Sequence, residues 1–239
     1  APVELETLRV CSDPNSLPYS NRDEEGFENR IAEIIAEELG VPLEYYWYAQ
    51  RRGFIRNTIR AGKCDLVMAV PTGMDMVTAT RPYYRSTYVF LTRKKDELDI
   101  ESLDDPRLKD LTIGVHGIGD DYSNTPGAHS MSRRGIIDNV VGISIYGDYS
   151  EPNPPARLIE AVADGDVDVA IVWGPLAGYF APRQSVELEY EPVAPAFDPP
   201  AQAFVYSISM GVHRGHYALR KRISEIIVKR RDDIEAILE

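Results

Sequence analysis

The sequence is poor in the groups that catalysis and metal binding use most often. It has only 2 cysteines and 4 histidines. The histidines, His116, His129, His213 and His216, show no spacing that a metal set or a charge relay requires. No Ser-His-Asp or Cys-His arrangement emerges, and the acidic residues do not recur at calcium-loop intervals. Neither a metal nor a cofactor is therefore expected. Basic residues are outnumbered: 26 lysines and arginines face 38 aspartates and glutamates, for a formal net charge of −12. Such a surface repels a phosphate backbone, which excludes nucleic acid as the natural partner. No run of about 18 apolar residues exists, which excludes a membrane-spanning helix. Internal repeats and low-complexity tracts are lacking too.

What is present is the composition of a chain with real cores. Hydrophobic residues make up 44% and charged residues 27% of 239 residues, enough for one large domain or two modest ones. The first residues, Ala1-Pro2-Val3-Glu4-Leu5, contain no initiator Met and no apolar leader, as expected of an exported protein after signal removal. In an oxidising compartment Cys11 and Cys64 would form one disulfide. Two buried free thiols are the other reading, since parallel neighbouring strands could hold the Cα atoms beyond the ~7 Å that a bridge tolerates.

Apolar runs and helical spacings alternate along the chain. Leu8-Arg9-Val10-Cys11 predicts a strand closed by Asp13-Pro14-Asn15. Phe27, Ile31, Ile34, Ile35 and Leu39 recur at helical spacing, with Gly40 as the cap. Leu43 to Tyr48 predicts a second strand, Phe54, Ile55 and Ile59 a second helix stopped by Gly62, and Asp65 to Val70 a strand covered on both faces. This alternation defines a doubly wound α/β unit. The middle of the chain repeats it: a strand at Leu111 to Val115, a helix over Arg133 to Val140 and a strand at Ile143 to Tyr146. There follow a helix from Pro155 with Leu158, Ile159 and Val162 inward, a strand at Val167 to Trp173, and a short helix from Pro175. Two β-prone stretches, Tyr83 to Leu91 and Phe204 to Val212, and one final helix from Tyr217 to Leu238 complete the chain. The expected fold is two-lobed, each lobe a mainly parallel sheet flanked by helices. Two hinge crossings are expected, at Leu91, Thr92 and Arg93 and at Ala203 and Phe204. Lobe 1 then takes 1–91 and 204–239, and lobe 2 takes 92–203.

With Gly26-Phe27-Glu28, Ala61-Gly62-Lys63-Cys64-Asp65, Pro82-Tyr83-Tyr84 and Asp166-Val167-Asp168-Val169-Ala170 in this order, the whole chain resembles the class II periplasmic solute-binding proteins. A sharper likeness rests on Cys11 to Asn21, Gly26 to Arg30, Gln50 to Thr58, Cys64 to Met68 and Arg81 to Phe90. Those segments resemble the MxaJ/XoxJ type, the solute-binding-like accessory proteins associated with PQQ-dependent methanol dehydrogenases. The resemblance implies a periplasmic, non-catalytic protein that is monomeric in isolation and acts on such a dehydrogenase or its cytochrome. In this fold ligands sit between the lobes, beyond the carboxyl ends of the parallel strands.

Amino-acid binders of that fold hold the ligand carboxylate with an arginine and its ammonium with an aspartate. The matching positions here are Gly73 and Trp173. A charged group desolvated without a partner costs several kcal/mol, against the ~8 kcal/mol that micromolar affinity represents. A free amino acid is thus an unsuitable ligand. The residues expected at the mouth are Tyr19, Tyr48, Thr72, Met74, Met76, His116, Trp173 and Tyr179, with core or hinge packing as the competing reading for each aromatic or methionine except Trp173, which ends a strand ahead of Gly174-Pro175 and is expected to point toward the cleft. Gln50-Arg51-Arg52 would clamp an anion or acidic partner, or else begin a helix ion-paired with glutamates. His116-Gly117-Ile118-Gly119-Asp120-Asp121 could bring backbone N–H groups to an anion, although its aspartates would oppose one. The expected function is partner binding through the cleft between lobes. The alternative is a transporter-linked binder of a small non-amino-acid solute. A cyclohexadienyl dehydratase-like enzyme, with Asp13 and Glu28 as the available acids, lacks the arginine that would hold its substrate.

Overall fold

The computed structural model describes residues 4–117 and 125–239. In chain order the elements are strands β1 (Leu8–Ser12), β2 (Asn15–Ser16) and β3 (Ser20–Asn21), helix α1 (Phe27–Leu39), strand β4 (Leu43–Trp47), helix α2 (Phe54–Asn57), and strands β5 (Leu66–Pro71) and β6 (Thr78–Arg93). They continue with β7 (Ile113–Gly117), α3 (Pro126–Arg133), β8 (Val140–Ser144), α4 (Arg157–Asp164), β9 (Val169–Trp173), α5 (Gly174–Phe180) and β10 (Leu188–Pro192). Short strands β11 (Phe197–Asp198) and β12 (Gln202–Ala203) precede β13 (Val205–Val212) and the helices α6 (Tyr217–Lys229) and α7 (Arg231–Leu238).

The chain divides into two units: unit 1 takes the residues up to Arg85 and from Ser207 onward, and unit 2 takes Ser86–Tyr206. In unit 1 the strand order is β4-β1-β5-β13, with β1 parallel to β4 and β5, and β13 antiparallel to β5. Leu8, Val10 and Leu66 are fully buried, as expected of strands covered on both faces. Helix α1 packs against β4, α6 and α7 through Ile31 and Ile35, both fully buried. It ends where Gly40 takes φ 69°, ψ 32°, the left-handed conformation that favours glycine.

Two helices of unit 1 differ from expectation. The second stops at Asn57 instead of running towards Gly62, because the Thr58 hydroxyl donates back to the Phe54 carbonyl at 2.6 Å and Thr58 leaves helical geometry at φ −116°, ψ −94°. The single terminal helix is two, broken at Arg230 (φ −104°, ψ 23°). There the guanidinium is drawn to Glu37, Glu38 and Asp233. Leu219, Ile223, Ile226, Ile227 and Ile234 are buried as expected, while Ile237 is half-buried. Cys11 and Cys64 are bridged, with Cα atoms 5.7 Å apart. Cys64 precedes the start of β5, and β5 pairs beside β1 with Cys11 opposite Val67.

Unit 2 has the order β6-β9-β7-β8, with β10 on the other side of β6. Strand β7 is parallel to β8 and β9, and β6 is antiparallel to β9. Its core gathers Phe90, Leu108, Ile113, Met131, Ile171 and Phe204. Its first helix covers Pro126–Arg133 rather than Arg133 to Val140. Pro126 sets the start, and Gly135 at φ 72° follows the end. The next strand accordingly begins at Val140, ahead of the expected Ile143. Helix α5 starts at Gly174 with Pro175 in its first turn, whereas α4 begins at Arg157, two residues after the expected Pro155, which belongs to the 3-10 turn Pro154–Ala156 ahead of it.

The chain crosses between units at Arg85/Ser86 and Tyr206/Ser207. Leu91, Thr92, Arg93, Ala203 and Phe204, expected as hinge residues, therefore lie inside unit 2. Leu91 and Phe204 are fully buried. Arg93 is stapled there by Asp96 at 2.6 Å and by the carbonyls of Val162 and Val167 at 2.6 and 2.9 Å. Ala203 pairs with Phe197.

Candidate functional site

In unit 1 the loops leaving β1, β4 and β5 at their carboxyl ends carry most of the predicted site residues. Asp13 ties the first two together: its carboxylate accepts the Asn15 N–H at 2.8 Å and the Gln50 N–H at 2.7 Å. The Gln50 backbone thereby fixes where Arg51 and Arg52 stand. Both arginines are exposed and, among the described residues, neither forms an ion pair. Of the two readings of this pair, the surface pairing with glutamates is not what the structure holds. Tyr48 and Met74 are half-buried against the cluster of Cys11, Phe54, Cys64 and Val67, so packing accounts for them. Thr72 is a latch, with its hydroxyl 3.0 Å from the Ser207 carbonyl and 2.8 Å from the Ser209 hydroxyl. Met76 is exposed. Gly73 sits at φ +92°, a conformation that side chains such as arginine adopt only with strain.

Tyr19 packs edge-on to Phe27 at 5.4 Å, and its carbonyl accepts the Glu28 N–H at 3.0 Å. A Cβ at Gly26 would stand 2.0 Å from that carbonyl oxygen, so the close approach of loop and helix start admits only glycine. Glu28, in the first turn of α1, is 6% exposed. Burial first, and the neighbouring Asp13 charge second, push its carboxyl up to about 8, so it is protonated at neutral pH. Burial also raises Asp13, opposed by its two backbone N–H donors. A general acid must reach its substrate, and this carboxyl is enclosed in the first turn of α1.

In unit 2, Trp173 closes β9 at its carboxyl end, and the antiparallel register sets Tyr88 opposite it. The rings of Tyr88 and Tyr206 stand 5.2 and 6.0 Å from the indole and 6.4 Å from each other, with Phe204 6.0 Å from Tyr88. Trp173 is half-buried. Tyr206 donates its hydroxyl to the Ala203 carbonyl at 3.1 Å, which fixes that ring. Gly174 lets the strands close up, since a Cβ there would lie 2.7 Å from the Thr87 carbonyl oxygen. Tyr88 and Tyr206 are not among the residues expected at the site. The pairing of β6 with β9 sets Tyr88 opposite Trp173, and Tyr206 joins them from β13, the next strand beside β6; Tyr88 also belongs to the distinctive Arg81 to Phe90 segment.

Tyr179 belongs to a different contact: the Arg183 guanidinium lies 3.7 Å over its ring, and Phe180 meets it edge-on. His116, in β7, has a buried Nε2 without a hydrogen-bond partner among the described residues and packs edge-on to Tyr146 at 5.0 Å. Burial pushes its imidazole down to about 4, so it is neutral at physiological pH. Of the glycine loop that follows it, Gly117 ends β7, while Ile118, Gly119, Asp120 and Asp121 lie outside the described residues.

Two α/β units built from a discontinuous chain, with loops and an aromatic cluster at the carboxyl ends of their strands, define a protein of the periplasmic binding class. Residues 8–239 match the bacterial extracellular solute-binding proteins, family 3, and the chain belongs to that family. The Protein MoxJ of Methylorubrum extorquens is 32% identical over 244 residues, which cover 98% of this chain and 79% of that protein. The crystal structure of the periplasmic binding protein XoxJ from Methylobacterium extorquens AM1 superimposes with a TM-score of 0.76 at 38% identity, over 97% of this chain and 95% of that one. That of MxaJ from Methlophaga aminisulfidivorans MPT gives 0.82 at 26% identity, over 97% and 96%. The architecture is accordingly the two-lobed α/β fold of periplasmic binding proteins.

Proposed function

We propose that this protein is a non-catalytic periplasmic accessory factor of a PQQ-dependent methanol or alcohol dehydrogenase. On this reading it is exported with its signal removed, is monomeric on its own, and uses units 1 and 2 as its two lobes. It binds a segment of the dehydrogenase or of its cytochrome rather than a free solute. Similarity to MoxJ, XoxJ and MxaJ supports the link to methanol oxidation. The observation that carries the partner reading is the pair of substitutions at the ionic anchors. Gly73, at φ +92°, is the residue expected at the position of the arginine, and Trp173, whose indole is flanked by two tyrosines, is the one expected at that of the aspartate. A zwitterion entering there would lose its hydration and gain no opposite charge. A half-buried Trp-Tyr cluster is instead the surface composition enriched where proteins meet proteins. The unpaired Arg51 and Arg52 suit carboxylates on such a partner.

Calorimetry and pull-down test this reading. Free amino acids at millimolar concentration should give no binding heat, whereas immobilised protein should retain the dehydrogenase from a native periplasmic extract. Trp173→Ala should weaken that retention about tenfold or more and leave the melting temperature within a few degrees. A micromolar amino-acid ligand would defeat the reading, as would full genetic complementation by Trp173→Ala.

A further inference from the structure

Unit 1 contains an open cleft of about 520 Å³ lined by the first half of β6, by Ser207 of β13, and by the facing ends of α6 and α7. It lies at the break of the terminal helix at Arg230, with residues of α6 and α7 lining it opposite β6. Its apolar lining is Tyr83, Ile227, Val228 and Ile234. Tyr83, Ile227 and Ile234 are buried, but Val228 is 54% exposed, an uncovered aliphatic side chain beside an apolar floor.

The charge around this cleft runs against that of the chain. Arg81, Arg85, Arg231 and Glu235 line it, three positive groups against one negative in a protein of net charge −12. Arg231 is answered by Glu235 at 2.6 Å. The side chains of Arg81 and Arg85 are exposed and have no ion pair or hydrogen bond among the described residues. Two unanswered guanidinium groups beside an exposed valine match one kind of ligand, in which carboxylates flank an aliphatic side chain. The exposed rim decides its size. A small-molecule site encloses most of its ligand, whereas Arg81, Arg85, Val228 and Arg231 are all open to solvent.

We infer that this cleft is a docking site for an acidic, amphipathic segment of a partner protein, with Arg81 and Arg85 pairing its carboxylates and the Tyr83–Val228 lining taking its aliphatic residue. The inference deepens the partner reading above and borrows from it only that the occupant is protein. Its residues are distinct from the Trp173 cluster, so either proposal can fail alone.

Fluorescence anisotropy on the full chain tests it with three labelled twelve-residue peptides: one of glutamate and leucine, its glutamine-for-glutamate counterpart, and one of glutamate and serine. The Glu/Leu peptide should bind saturably below about 100 µM and be released at about 0.5 M salt, where charges are screened within a few ångströms. The Gln/Leu and Glu/Ser peptides should bind at least about tenfold more weakly, as should the Glu/Leu peptide to Arg81→Glu/Arg85→Glu and to Val228→Asp. Because the two arginine side chains have no internal partner, the double variant should melt like the parent; Arg81→Gln/Arg85→Gln serves if it does not. Absence of saturable binding overturns the proposal. So does binding to the double variant within twofold of the parent, or equal affinity for the Glu/Ser peptide, which would mark a merely electrostatic surface.

Discussion

At the scale of single residues, Glu28 makes the sharpest statement about stability. Its carboxyl rises from an ordinary 4.5 to about 8, by burial first and by Asp13 second. Between those pH values the folded chain holds a proton that the unfolded chain has released. Raising the pH through the window therefore favours unfolding. A tenfold change in proton affinity is worth ~1.4 kcal/mol, so the loss from this group is on the order of a few kcal/mol, and Asp13, also raised, acts in the same direction. The melting temperature of the wild-type protein should fall from pH 5 to pH 8, and that of Glu28→Gln should fall distinctly less. Parallel curves would show that another group is responsible. Gly26 gives a second test at this scale. Gly26→Ala sets a Cβ against the Tyr19 carbonyl and should cost several kcal/mol by urea denaturation. Gly40→Ala, at φ 69° with open space around it, should cost only about 1 kcal/mol. Legibility differed among these positions. Trp173 could be read from an apolar run ending in Trp-Gly-Pro, and Gly73 from its place before Pro82. Tyr88 and Tyr206 could not, because their partnership with the indole exists only once β6 lies between β9 and β13.

At the scale of elements, what the sequence disclosed follows the range of the forces involved. Helix α1 was legible from end to end, since its apolar spacing and its glycine cap are local. The break at Arg230 was not, because the residues that hold it include Glu37 and Glu38, far away in sequence. The misplaced helix of unit 2 shows a local signal outweighed: Pro126 and Gly135 bracket α3, but its mixed polar face hid the periodicity. Here only Pro126, Gly127, Ser130 and Met131 turn inward, with Gly127 close against Ile171. The Cys11–Cys64 bridge also depends on pairing, since β5 beside β1 is what brings the two Cα atoms within 5.7 Å. Its closed loop, a separation of 53 residues, implies a loop-entropy contribution of roughly 4 kcal/mol. Cys11→Ser/Cys64→Ser should lower the urea midpoint accordingly, and a reductant should shift the wild type to the same midpoint. No shift on reduction would show that the bridge adds nothing to stability.

At the scale of the whole molecule, the alternation of strands and helices disclosed two α/β units, but the crossing points escaped. Strand β6 runs unbroken from Thr78 to Arg93, and its β-prone residues give no mark where one unit yields to the next at Arg85/Ser86. The consequence is an asymmetry in how the units depend on the chain. Unit 2 is one continuous segment that carries its own sheet and core and lies within the usual size of independent domains. Unit 1 needs both ends of the chain. Without Ser207 onward it lacks β13, α6 and α7, and the buried Ile31 and Ile35 of α1 lose the helices packed against them. A fragment of residues 86–206 should accordingly unfold in a single cooperative urea transition. A fragment of residues 1–85 should show no such transition until residues 207–239 are supplied in trans, when the helical circular-dichroism signal should rise beyond the sum of the two separate spectra. A cooperative transition in residues 1–85 alone would mean that its core is complete without the terminal helices, and the discontinuous assembly of unit 1 would lose its energetic meaning.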